Sequence, residues 1–116
     1  MTRQGMRIDA IYLACGAADL RAGMDSLLAR VVHSFEAGAQ PHTAYVFANR
    51  SASRLKVLLM DGSGLWLCTR RLSSRARFIW PQDEAAHVPI TAAQWDWLIA
   101  GAPWLHLGPP RAITVV

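Results

Sequence analysis

Residues 54 to 71 read Arg54-Leu-Lys-Val-Leu-Leu-Met60, then Asp61-Gly-Ser-Gly64, then Leu65-Trp-Leu-Cys-Thr-Arg-Arg71. Two runs of strand-forming residues flank a turn signal, whose glycines are expected to supply the positive φ angles of a tight hairpin. With Met60 opposite Leu65, alternation pairs Leu58 with Leu67, Lys56 with Thr69 and Arg54 with Arg71. Leu59 with Trp66 and Val57 with Cys68 then occupy the other face. The turn end is apolar on both faces, which suits a sheet covered on both sides. The open end is basic, and Arg54 directly opposite Arg71 calls for a compensating anion.

Upstream of this hairpin, Ala44 to Ala48 reads as a strand with Tyr45 and Phe47 on one side, followed by the small-residue loop Asn49-Arg50-Ser51-Ala52-Ser53. Ile11 to Ala14 reads as a short strand ended by Cys15-Gly16. Between them Leu20, Met24, Leu27, Leu28, Val31 and Phe35 recur at helical spacing, as in an amphipathic helix lying on a sheet. Asp19 is the expected N-cap, Gly38 the C-terminal stop, and Arg21 with Asp25 a surface pair.

Downstream, Ser73-Ser74-Arg75-Ala76 is a polar turn, Arg77 to Trp80 a strand ended by Pro81, and Gln82 to Pro89 a loop carrying Asp83 and Glu84. Thr91-Ala-Ala-Gln94 is a capping box, with Ile90 placed to staple onto Trp95. Trp95, Leu98, Ile99 and Ala102 form the buried stripe of that helix, and Gly101 and Pro103 stop it. Trp97 falls off the stripe and is the tryptophan expected at the surface. The element order is β-α-β-β-β-β-α, a mostly antiparallel sheet of four to five strands with two packed helices, an α+β fold. With no internal repeat or linker, the 116 residues are expected to form one domain, with a core at 8–107 and a short tail at 108–116.

A hydrophobic fraction of 53% with 17% charged residues describes a globule with a real core. Five tryptophans are many for this length, so some are candidates for a partner surface. The net charge of +4 rests on 12 basic residues, only one of them lysine, against 8 acids. Arginine suits bidentate contacts to phosphate, and an arginine-rich balance equally follows from a GC-rich genome. Cys15 and Cys68 lack metal or redox spacing, and no apolar run approaches a membrane span. The N-terminus lacks an export core, so a cytoplasmic protein with free thiols and no membrane contact is expected.

His33, His42, His87 and His106 sit in separate elements without ligand spacing, so neither a metal site nor a cofactor is expected. Gly62 and Gly64 close a hairpin instead of opening a helix, unlike a phosphate loop. Asp19, Asp25 and Asp61 together would make a magnesium-dependent nuclease, but capping, a polar helix face and a turn account for them singly. The basic set is Arg50, Arg54, Lys56, Arg70, Arg71, Arg75 and Arg77, within 28 positions. Several cations acting together are what nucleic-acid backbone binding requires. Spacing alone leaves a second reading open, a solvated strand end.

These residues resemble the TnpB-type accessory protein encoded by the second open reading frame of insertion sequence 66 elements. The resemblance runs through Ile11-Tyr-Leu-Ala-Cys-Gly16, Asp19-Leu-Arg21, Gly23-Met-Asp25, Tyr45-Val-Phe-Ala-Asn-Arg50 and Arg54-Leu-Lys56. It continues through Asp61-Gly-Ser-Gly-Leu65, Arg70-Arg-Leu72, Arg77-Phe-Ile-Trp-Pro81 and Ile90-Thr-Ala-Ala-Gln94, covering about residues 8 to 107 in one order. The chain departs from the family at Ser51-Ala52-Ser53, where basic residues are common, at Ala18, where Ser or Thr is, and at Met60, where an aromatic is.

The resemblance implies a non-catalytic accessory factor that helps a separate transposase move a bacterial insertion sequence. No catalytic residues carry over, and the chain is too short for an RNase-H-like transposase core. The expected partners are the transposase of the same element and DNA, at the element ends, bound through the Arg/Lys-rich hairpin face. The alternative is an adaptor that contacts the transposase without touching DNA, with Trp97 and Trp104 as anchors.

Overall fold

The computed structural model describes residues 2–3, 6–21, 23–71, 79–81, 85–100 and 104. Apart from a two-residue ribbon of β1 (Thr2–Arg3) and β2 (Met6–Arg7), the strands form one five-stranded sheet. In chain order its elements are β3 (Ala10–Ala14), α1 (Met24–Ser34), β4 (Thr43–Ala48), β5 (Arg54–Met60), β6 (Leu65–Arg71), β7 (His87–Ile90) and α2 (Ala92–Ile99). The spatial order is β6-β5-β4-β3-β7. Among the described strands only β3 and β4 run parallel, and α1 lies in the connection between them. Among the described residues no helix is long and apolar enough to cross a membrane.

β4 is central because it is apolar on both faces, and it is buried along its whole length. Ala44, Val46 and Ala48 pack with Ile11, Leu13, Leu55, Leu59 and Leu98 of α2. Tyr45 and Phe47 pack with Leu58 and with Leu27 and Val31 of α1. Each helix therefore covers one face of the sheet. Truncating Leu58, which is fully buried, to alanine would cost about 2–5 kcal/mol in lost transfer energy and cavity.

The β5–β6 hairpin has the register read from its alternation, from Arg54 opposite Arg71 to Met60 opposite Leu65. Of the two turn glycines, Gly62 alone adopts a positive φ, +95°. Both faces of β5 are covered, since Leu58 and Leu59 are both buried. β6 is different. It is the edge strand among the described residues, and Trp66 stays 50% exposed with Cys68 also at the surface. Two-sided burial thus stops one strand short of the expectation.

The β-α-β-β-β-β-α order holds, but its last strand is His87–Ile90, within and just beyond the stretch read as a loop. Pro89 stands within this strand. Proline is tolerated there because β7 is an edge strand among the described residues, where one side of the ladder needs no N–H donor. Ile79 and Trp80 belong to no strand, while Arg77, Phe78 and the Ser73–Ala76 turn lie outside the described residues, as does the 108–116 tail. Instead, Trp80 donates its indole N–H to the Ala14 carbonyl at 2.9 Å, and the Gly16 N–H donates to the Pro81 carbonyl at 3.2 Å.

Asp19 does not cap α1. The helix begins at Met24 with Gly23 as N-cap and no side-chain cap bond. Asp19 accepts instead from the backbone and guanidinium of Arg21, both at 3.0 Å, so Arg21 pairs backward with Asp19 and not forward with Asp25. Gly38, at φ +72°, turns the chain four residues past the end of α1, its N–H donating to the Phe35 carbonyl. At α2 the capping box forms as read. Thr91 Oγ1 accepts from the Gln94 N–H at 3.0 Å, and Gln94 Oε1 accepts from the Thr91 N–H at 2.8 Å.

Candidate nucleic-acid interface

Strand alternation divides the basic set between the two faces of the hairpin. Arg54, Lys56, Thr69 and Arg71 share the face of Leu58 and Leu67, on the α1 side. Arg70 is opposite Leu55, on the α2 side, and its Nη2 donates to the Ile99 carbonyl at 3.4 Å. Arg50, Arg54 and Arg71 are exposed, whereas Lys56 is half-buried. Among the described residues no ion pair engages Arg54 or Arg71. Arg75 and Arg77 lie outside the described residues.

Arg50 is presented by a built loop. Asn49 Oδ1 accepts from the Ser53 and Arg54 N–H groups at 3.0 and 3.1 Å, and the Ala52 N–H donates to the Asn49 carbonyl. Ser51 and Ser53 share a hydrogen bond at 2.8 Å. The small residues Ser51, Ala52 and Ser53 therefore brace the turn, and Ala52 accepts a positive φ of 55° within it.

Arg30 belongs to this neighbourhood and was not singled out from sequence. Its guanidinium carbon lies 5.3 Å from the Phe47 ring centroid, a cation–π distance, and Phe47 is the β4 neighbour of Lys56. Its position on α1 brings it to the sheet only through tertiary packing, although its place one residue before the buried Val31 was a readable clue. Asp19 adds one negative charge nearby. Its carboxyl is held below the ordinary value chiefly by the hydrogen bond from the Arg21 side chain, then by the Arg21 backbone N–H, with the Lys56 charge contributing least.

At the opposite, turn end, Asp61 organises the hairpin. Its Oδ1 accepts from the Ser63 and Gly64 N–H groups at 2.9 and 2.8 Å, and its Oδ2 accepts from the Trp66 indole at 2.7 Å. These bonds favour the ionised form, and the indole bond most strongly lowers the carboxyl to about 2. Asp19 and Asp61 are thus each engaged in local structure, and no group of three or more metal-binding side chains converges among the described residues.

The two proposed anchor tryptophans part company. Trp97 is 44% exposed on α2, as its place off the stripe implies. Trp104 is only 2% exposed, packs into the α2-side core and donates its indole N–H to the Ile79 carbonyl at 2.7 Å. A side chain so enclosed offers no anchor, and Trp104 is a core residue. What α2 buries alongside Leu98 is Gln94, held by the capping box.

Comparison with known proteins finds the IS66 Orf2 like protein family over residues 9–108. The chain is 38% identical over 96 residues, 83% of each sequence, to the uncharacterized protein y4hO of Sinorhizobium fredii. It is 31% identical over 104 residues, 90% of this chain and 86% of the other, to the uncharacterized protein y4jC of the same organism. No solved structure matches the chain. The match over residues 9–108 places this chain in the IS66 Orf2 like protein family, which implies an accessory role in transposition.

Proposed function

We propose that this protein is a non-catalytic accessory factor that binds DNA, or the transposase–DNA complex, through Arg50, Arg54, Lys56 and Arg71. The observation that carries the reading is the Arg54–Arg71 cross-strand pair, exposed and without an ion-pair partner among the described residues. Like charges directly opposite each other are unfavourable, so a persistent pair is best explained by an anion that bridges it. Two guanidinium groups at strand spacing suit phosphate oxygens, and with Arg50 and Lys56 they make a multivalent contact to a backbone. Such contacts position a duplex without reading its sequence, so sequence choice would rest with the transposase or with DNA shape.

The test is binding to double-stranded DNA across a salt series. Affinity should fall steeply with salt, and each removed cation should lower the slope of log K against log salt by about 0.9. Absence of binding at low salt would overturn direct DNA contact. The adaptor reading, through Trp97 toward the transposase, then takes its place, supported by the exposure of that ring. A folded Trp97→Ala variant that still captures the transposase would count against it.

A further inference from the structure

Between α1 and the sheet lies a cavity of about 170 Å³ that neither the core nor the basic face accounts for. Its floor is aromatic, made by Tyr12 and Tyr45, which are register partners on β3 and β4 with rings inclined by only 14°. Phe35 closes one wall, its ring stacked on His87 with centroids 3.7 Å apart. Arg30, over Phe47, and Ser34 add polar groups from the helix side. His87 Nδ1 is buried without a hydrogen-bond partner among the described residues.

We propose that this cavity receives one unpaired nucleobase of a DNA strand lying on the basic face. Size limits the occupant to a single ring system, since an apolar cavity of ~150 Å³ takes a benzene-sized molecule. Ring walls favour a flat π-face, and base stacking on aromatic side chains is sequence-tolerant and strong. Arg30 and Ser34 line the cavity from the helix side with polar groups that the edge of a base can meet and a purely aliphatic guest cannot. The position also fits. Arg30 packs on Phe47, Phe47 pairs with Lys56, and the Arg54–Arg71 row follows two residues along β5, so cavity and cations lie on the same, α1, side of the sheet. The inference rests on the DNA-binding reading of that face and narrows it to DNA with an exposed base, as at a strand end or a melted junction.

The test compares three probes of equal length at one salt concentration: oligo-dT, the same backbone made abasic, and a duplex. Oligo-dT should bind roughly fivefold or more tighter than the abasic strand. Ala86→Phe, at an exposed residue lining the cavity, should erase that advantage and leave abasic affinity unchanged, and Ser34→Phe should do the same from the helix side. Free 1-methylthymine, followed by ligand-observed NMR, should bind the wild type and not these variants. Equal binding of oligo-dT and abasic strands overturns the base pocket while leaving the basic face standing. Failure of all three DNAs to bind overturns both. Binding of toluene without 1-methylthymine would instead mark the cavity as a socket for an apolar side chain of a partner protein.

Discussion

Arg54 and Arg71 stand directly opposite each other where β5 begins and β6 ends, with no ion pair to either among the described residues. Facing like charges disfavour the pairing by a few tenths of a kcal/mol up to about 1 kcal/mol. Arg71→Gln should therefore melt at or slightly above the wild-type temperature in phosphate-free buffer. Adding phosphate or sulfate should raise the wild type more than the variant, because an anion held only by the native pair stabilises by mass action. DNA affinity should fall at the same time. If Arg71→Gln melts far lower yet binds DNA fully, the residue is structural and the face has been misassigned.

The turn end answers to acid. Asp61 has a folded pKa of about 2 against an ordinary 3.8, lowered first by the Trp66 indole and then by the Ser63 and Gly64 N–H groups. A depressed carboxyl contributes stability that is fully present above its unfolded value and lost as pH falls through its folded one. Asp61→Ala should accordingly melt below wild type at pH 6, and the gap should narrow between about pH 4 and pH 2. A gap that stays constant over that range would mean the ionised carboxylate contributes nothing.

Gly62 and Gly64 look equivalent in sequence but should respond differently to a side chain. Gly62 has φ +95°, and a Cβ there would meet the His42 ring at 3.4 Å, whereas a Cβ on Gly64 meets nothing within 4 Å. Gly62→Val should cost about 1–3 kcal/mol of backbone strain, and Gly64→Ala should stay close to wild type. Denaturant melts of the two variants decide it, and equal losses would refute the turn geometry.

The hairpin could be read because three signals agree there: period-two alternation, strand-forming side chains and a turn sequence between them. The central strand was readable for the same reason, through Tyr45 and Phe47 on one parity. β7 was not legible in the Gln82–Pro89 stretch, because a proline within a strand is tolerated only at an edge, and edge position is a property of the whole sheet. Asp19 was misread because a cap is chosen by backbone geometry, and the helix begins four residues later than its apolar stripe suggests. For the candidate site, the cations of β5 and of the Asn49–Ser53 loop were visible. The contribution of Arg30 and the burial of Trp104 were not, since both depend on contacts between segments distant in the chain.

Adjacent arginines on one strand give the sharpest test of the proposed face. Arg71 shares the side of Arg54 and Lys56, while Arg70 points to the other side, opposite Leu55. There its Nη2 reaches the Ile99 carbonyl at 3.4 Å, at the end of α2 where the last carbonyls lack intrahelical partners and a cation is favourable. That bond is long and exposed, so Arg70→Gln should change stability by no more than about 0.5 kcal/mol. It should also leave the salt dependence of DNA binding unchanged. Arg71→Gln should lower the slope of log K against log salt by about 0.9, the signature of one lost phosphate contact. Salt titrations of the two variants side by side measure the difference directly. Equal reductions in slope would mean that DNA wraps the β6 edge and touches both faces, and a loss confined to Arg70→Gln would move the interface to the α2 side.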